Sequence, residues 1–421
     1  MEIFKNKGAF RALQYRNFFL FWSSYFVSNV GSWMQSVAQG WLLFDLTSSP
    51  FYLGLFSSLR MIMLVCFFVL GGIMADRLDR RKVMLFIQIT SALTALAIAV
   101  LVSLKMIQVW HIFVLGAITS TAWAFEQPVR QALIPQLVSR EDLVNALALN
   151  AIIWNGAGFL GPALVGLLVG PIGIDGCFYV NVLSYVAVIT ALLRIKLPRH
   201  DANRTHASVL QSLKDGLSYV RSQPVIATFL VVSAFFNIFG RSYGTLLPVF
   251  AKEVLSLGAS GLGFLAAAPG LGTIIGSLTL ASLGRVEAKR GRLLAILFAF
   301  SVALFAFAGS RNFDLTFVCL IFVGALATAF ETLLQTSIQL QVVEAFRGRV
   351  LGFYGLTTGG LREFGGMQAG FVAEWTGAPL AIQGGVVVLF IAGLLFLGAR
   401  LGRLSDHRVA WGENIATKEE P

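Results

Sequence analysis

Charge is scarce in this chain. Asp, Glu, Lys and Arg together make up 13% of its 421 residues, about half the share usual in a soluble domain. So few charges cannot cover a water-exposed surface of that size. Only three cysteines are present, which excludes a disulfide framework. Cys66, Cys177 and Cys319 stand singly in apolar stretches and read as small buried hydrophobes. The four histidines form no helical His-Glu-x-x-His pair, and neither a Walker loop nor a Gly-x-Ser-x-Gly elbow occurs. No metal, cofactor or enzyme activity is expected. The first apolar stretch is too long for a signal-peptide core, and no small-residue cleavage site closes it.

What fills the chain instead is hydrophobic residue, at 57%, joined by 42 glycines. A bilayer-crossing helix needs about 20 mostly apolar residues, because its backbone must satisfy its own hydrogen bonds in hydrocarbon. Measured that way, twelve spans are expected, near 18–44, 51–75, 83–104, 109–133, 143–170, 174–193, 224–251, 260–284, 293–310, 314–340, 348–373 and 378–399. Spans 1, 5 and 11 carry many polar or small residues and should face a cavity or a close neighbour. The fold class is all-α membrane.

The formal net charge of +11 could suggest nucleic acid, but its placement gives another reason. Lys105, Lys252 and Arg311 fall in one set of loops, and Arg60, Arg241 and Arg362 fall inside spans. The remaining Lys and Arg lie at the N-terminus, in the alternate loops, in the central segment and in the tail. By the positive-inside rule both termini are cytoplasmic. No nucleic-acid partner is required.

The hydrophilic stretch 194–223 divides the chain into a six-span bundle over 1–193 and another over 224–399, with a cytoplasmic tail over 400–421. The two bundles echo each other at an offset of roughly 205 residues. Asn29 and Gly31 answer to Asn237 and Gly240. Gly54 answers to Gly263, Glu126 to Glu331, and Gly161 and Gly166 to Gly365 and Gly370. Repeated halves of this kind point to a transporter whose site lies between the repeats at the midplane.

Between spans 2 and 3 stands GGIMADRLDRRK, from Gly71 to Lys82. Gly72 permits close helix contact, and Asp76 sits at a helix end beside four cations. The plain alternative is a positive-inside loop with an incidental aspartate. The run resembles the Gly-x-x-x-Asp-Arg-x-Gly-Arg-Arg loop of the major facilitator superfamily, with Asp79 in place of the second glycine. The resemblance implies a cytoplasmic latch of Gly72, Asp76, Arg77, Arg80 and Arg81 that holds the halves together when the site faces outward. In span 5, GFLGPALVG brings Gly158, Gly161, Pro162 and Gly166 to helical spacing. It resembles the superfamily's exporter motif; close packing of small residues is the alternative. QPVRQALIPQLV (127–138), REDLVNA (140–146), FYVN (178–181) and RGRV (347–350) resemble the enterobactin-exporter-like branch.

An ionisable group within a span is costly unless it meets water or a partner, so each is a functional candidate. In the arrangement that the resemblance implies, spans 1, 4, 7 and 10 line a central cavity. Glu126, Arg241 and Glu331 would then face it, together with Asn29, Gln35, Gln39 and Asn237. Glu126, and secondarily Glu331, would carry protons. A static Glu126–Arg130 bridge at i,i+4 is the competing reading. Arg241 is either a charge that attracts an anionic or polar substrate group or a snorkelling surface residue. Arg60, Arg362 and Glu363 belong to spans that meet between the halves, where Arg60 could pair with Glu363.

The resulting expectation is a transporter with two pseudo-symmetric six-helix bundles in a bacterial inner membrane. It would export a small siderophore- or drug-like molecule by alternating access, with proton antiport, as a monomer in contact with lipid. A lipid or lysolipid flippase, an uncoupled facilitator, and a non-transporting sensor or assembly factor remain as alternatives.

Overall fold

The computed structural model describes residues 8–77, 79–195, 209–284 and 290–396; for 9, 68–77, 209–213 and 290 it describes the backbone alone. Almost everything described is helix, as backbone groups in hydrocarbon require. Twelve crossings run in chain order. Spans 1 to 4 are α1 (Arg16–Thr47), α2 (Pro50–Arg77), α3 (Arg80–Ser103) and α4 (Val109–Leu133). Spans 5 and 6 share α5 (Leu143–Arg194), which turns back at Gly173, where φ is 74°. A Cβ there would stand 2.5 Å from Asp175 Oδ1, and positive φ favours glycine in any case.

Past the amphipathic α6 (Val209–Ser222), span 7 combines α7 (Pro224–Phe235) and α8 (Tyr243–Val249) with π-helical turns at Phe236–Gly240 and Phe250–Val254. Spans 8 to 10 are α9 (Ala259–Ser282), α10 (Arg290–Gly309) and α11 (Phe313–Gln341). Span 11 is α12 (Glu344–Thr358) followed by α13 (Gly360–Thr376), and span 12 is α14 (Ala378–Gly393). Eight helices among the described residues are long and apolar enough to be spans by composition alone. The fused α5 counts as one of these, and α1, α4 and the split span 11 are the more polar crossings.

Two expectations change here. The central segment is not all loop: α6 lies against the end of span 11, with Tyr219 stacked on Phe346 at 4.3 Å and Arg349 3.8 Å from Asp215. Cys66 is exposed on the outer face of span 2, while Cys177 and Cys319 are buried. A thiol on a lipid-facing surface loses nothing by it, since lipid is as apolar as the core. The same holds for Phe86, Leu183, Leu278 and Trp375, which point outward from the bundles.

The repeat seen in the sequence is a repeat in packing. A Cβ on Gly161 of span 5 would meet Val30 O of span 1 at 2.6 Å, and a Cβ on Gly365 of span 11 would overlap Ile238 O of span 7. Gly166 faces Gly263 across spans 5 and 8, and Gly370 faces Gly54 across spans 11 and 2. Each half thus presents one glycine-lined span to its own first helix and to the partner half. The Asn29 Nδ2 donates to Tyr25 O at 2.9 Å, and its counterpart Asn237 donates to Ser233 O at 2.9 Å.

Hydrogen bonds and ion pairs between described residues of the two halves occupy one side of the molecule. They join Asp45 to Lys252 at 2.6 Å, Ser49 and Phe51 to Glu374, Ser57 to Thr245, Ser260 to Gly166, and Arg60 to Glu363. Arg60 lies ten residues below Pro50, about 15 Å along the helix. The halves are therefore bound from the charge-poor end to about the midplane. The basic end has its own braces within one half. Arg81 donates to Leu192 O and Leu193 O at 2.6 Å, Arg80 to Ala132 O at 3.1 Å, and Tyr15 OH to Asp142 at 2.8 Å.

Candidate functional site

The polar residues of the interior gather into two clusters, one in each half. In the first half, span 1 supplies a stripe at helical spacing. Gln35 Oε1 accepts from Asn181 Nδ2 of span 6 at 2.6 Å, Asn181 Oδ1 accepts from Ser184 Oγ at 2.9 Å, and Ser32 meets Tyr185 OH at 3.1 Å. All four of Asn29, Gln35, Gln39 and Asn181 are buried. Gly31 makes this possible, because a Cβ there would overlap Asn181 and stand 2.6 Å from Ser184 Oγ. Gln39 Nε2 is buried and has no hydrogen-bond partner among the described residues.

Arg130 is 2% exposed, yet it makes no ion pair among the described residues. Its guanidinium donates to Asn150 Oδ1 and to Gln127 Oε1, each at 2.6 Å, and lies between the rings of Trp154 and Tyr25 at 4.9 and 5.2 Å. A planar cation suits this slot because its faces stack while its edges donate. The static Glu126–Arg130 bridge weighed from the sequence is not made among the described residues: the Arg130 guanidinium is held by Gln127 of its own helix, by Asn150, and by the rings of spans 1 and 5. Glu126, one turn earlier, has neither hydrogen bond nor ion pair among the described residues. Among the described residues, the charge near enough to act on it is that of Arg130.

In the second half, Arg241 follows the π-helical turn of span 7 and points to Glu331 of span 10, Nε to Oε1 3.7 Å. Tyr354 OH donates to the backbone oxygen of Glu331 at 3.2 Å, and Ser233 meets Thr357 at 2.7 Å. Arg362 shares the electrostatic field of Arg241, Glu331, Glu363 and Tyr243. The structure brings Arg60 to Glu363 at 3.1 Å, leaving Arg362 outside that pair. Phe236 and Tyr243, beside Arg241, are buried.

Gly158 has ordinary contact with Trp33 at 3.8 Å, whereas Gly161, Pro162 and Gly166 form the tight seam with spans 1 and 8. Of the five latch residues, the side chains of Gly72, Asp76 and Arg77 lie outside the described residues, while Arg80 and Arg81 bind carbonyls of their own half. Asp79 caps α3, accepting from the Arg81 and Lys82 backbone N–H groups, which is what a short acid does at a helix start. Residues missed by the sequence reading are Tyr25, Asn150, Trp154, Ser184, Tyr185 and Tyr354. The run FYVN contained Asn181 but gave no sign that it faces Gln35.

The chain matches the family described as transmembrane secretion effector over residues 7–415. An uncharacterised MFS-type transporter, YfiS, of Bacillus subtilis is 25% identical over 393 residues, covering 88% of this chain and 90% of the relative. The staphyloferrin A transporter of Staphylococcus aureus is 24% identical, covering 79% and 83%. The enterobactin exporter EntS of Escherichia coli is 27% identical, covering 84% and 82%. Among solved structures, a bacterial homologue of the human lysosomal transporter Spinster, inward-facing and unoccupied, matches with a TM-score of 0.74 at 14% identity, covering 93% and 98%.

Proposed function

Because the chain belongs to the transmembrane secretion effector family of the major facilitator superfamily, we propose that it exports a small organic molecule by alternating access, in exchange for protons. Two relatives act on siderophores by name, which supports a siderophore- or drug-like substrate. The observation that carries the coupling is Glu126. It is a carboxylate deep in span 4 with no hydrogen bond or ion pair among the described residues, although Arg130 is only one turn away. Glu331 is held by Arg241 and is second in line. A carboxylate without a fixed partner can take a proton on one side of the membrane and release it on the other with little rearrangement. Tight contact at the charge-poor end supports a state open at the basic end. The placement of Lys and Arg supports cytoplasmic termini in an inner membrane, where the chain would act as a monomer. The latch of Gly72, Asp76, Arg77, Arg80 and Arg81 would hold the halves together when the site faces outward.

The test is purified protein in liposomes, with internal pH followed while a panel of siderophores and lipophilic drugs is offered. A compound that evokes proton movement through the wild type should evoke none through Glu126→Gln, with folding retained. Substrate flux with no proton movement in the wild type would replace antiport by facilitation. Undiminished proton movement in both Glu126→Gln and Glu331→Gln would remove these residues from the coupling.

A further inference from the structure

Counting charges around the second cluster leaves one unmatched. Three guanidinium groups, Arg60, Arg241 and Arg362, stand among two carboxylates, Glu331 and Glu363. Glu363 is committed to Arg60 at 3.1 Å, across the seam between the halves. Glu331 meets Arg241 at 3.7 Å, beyond hydrogen-bond reach, a looser contact than a forked arginine–carboxylate pair makes. Arg362 is half-buried and has neither hydrogen bond nor ion pair among the described residues. Packing puts the two arginines on facing segments: a Cβ on Gly365, three residues after Arg362, would overlap Ile238 O, and a Cβ on Gly366 would lie 2.5 Å from Thr245 Oγ1, on either side of Arg241 in the chain, so that Arg362 lies in the field of Arg241 and Glu331 as well as Glu363. An arrangement of this kind is unfavourable in a water-poor interior unless a further anion joins it.

The backbone marks the same place independently. Arg241 follows the π-helical turn Phe236–Gly240, and Arg362 follows the interruption at Gly359, where φ is −96° and ψ −69°. Interrupted helices near the midplane mark binding sites in this class of membrane protein. Tyr243, two residues after Arg241, and Tyr354, whose OH donates to Glu331 O at 3.2 Å, add aromatic side chains to the same place.

We propose that Arg241 and Arg362 form an anion site for the acidic group of an aromatic or otherwise apolar substrate, and that Glu331 occupies it as an internal competitor while it is empty. An arriving acidic group takes Arg241, with Arg362 as its second contact, and frees Glu331. The site would thus select organic acids over their neutral analogues. This rests on the transport reading only for its purpose; the binding itself does not need flux.

The test is equilibrium binding to the full chain in nanodiscs, with empty nanodiscs subtracted, using 2-naphthoate and its uncharged analogue 2-naphthamide as probes. Wild-type protein should bind the acid at least about tenfold more tightly than the amide, the scale of a charge-assisted contact. Arg362→Gln should abolish that preference, and its thermal transition in nanodiscs, compared with the wild type, reports separately that the variant is folded. Glu331→Gln should tighten binding of the acid severalfold, since the competitor is gone. If Arg362→Gln does not fold, Glu331→Gln still decides, because a carboxylate that helps to bind substrate would weaken binding on removal. Equal binding of acid and amide, no saturable binding of the acid, or weaker acid binding by Glu331→Gln overturns the proposal. Acid-selective binding in a preparation without flux would support the site and count against transport alone.

Discussion

At the scale of single residues, the sequence shows which groups are unusual but not where their side chains turn. Arg60 and Glu363 could be paired in advance because their spans meet and each is the other's natural partner. Arg130 and Glu126 looked equally suited at i,i+4, yet the guanidinium lies between Trp154 and Tyr25, in spans 5 and 1. Nothing in the local spacing reports rings that lie on other helices. The arrangement predicts that Arg130→Lys is not conservative. A lysine keeps the charge but loses the forked donation to Asn150 and Gln127 and the stacked faces. The expected loss of stability is about 2–4 kcal/mol, from charge-assisted hydrogen bonds and cation–π contact. It is measured as unfolding in detergent, and a variant as stable as the wild type would show that the slot holds only a charge.

At the scale of elements, the twelve crossings were legible because hydrocarbon imposes a length. Their internal breaks were less so. The turn at Gly173 falls in the gap left at 171–173 between expected spans 5 and 6, but the π-helical turns of span 7 and the division of span 11 at Gly359 do not change hydrophobicity, so a ruler based on apolar length passes over them. The glycines at a common offset were legible as a repeat, and the structure gives their reason, which is backbone approach between spans. Gly263 is the strictest case, since a Cβ there would overlap the Gly166 backbone and lie 2.9 Å from Pro162 O. Gly263→Val should therefore force spans 5 and 8 apart and cost about 1–3 kcal/mol as overpacking. Gly170→Ala, with nothing within 4 Å of its Cβ, is the control and should leave the thermal transition where it is. An equal response of the two variants in a thermal melt would mean that the seam is not tightly packed.

At the scale of the whole molecule, the polar contacts across the halves among the described residues fall between the charge-poor end and the midplane. This asymmetry follows from pairs such as Asp45–Lys252 and Ser49–Glu374, whose members lie in loops and span ends far apart in sequence, so it could not be read before folding. If the halves rock about a central site, these pairs must part in every cycle. Each is partly solvent-exposed: Asp45 and Lys252 have side-chain exposures of 51% and 35%. An ion pair of that kind contributes little to stability, about 0–1 kcal/mol, so it can open readily. Replacing the pair by a covalent tie should therefore stop transport without unfolding the protein. In a background with Cys66, Cys177 and Cys319 replaced, cysteines at 45 and 252 joined by a short thiol-to-thiol cross-linker should reduce flux at least about tenfold. The same double variant, left untreated, should transport at close to the wild-type rate, because the lost ion pair is weak. Flux that persists in the cross-linked protein would mean that the charge-poor end does not open, and that substrate leaves by a route other than rocking of the two halves.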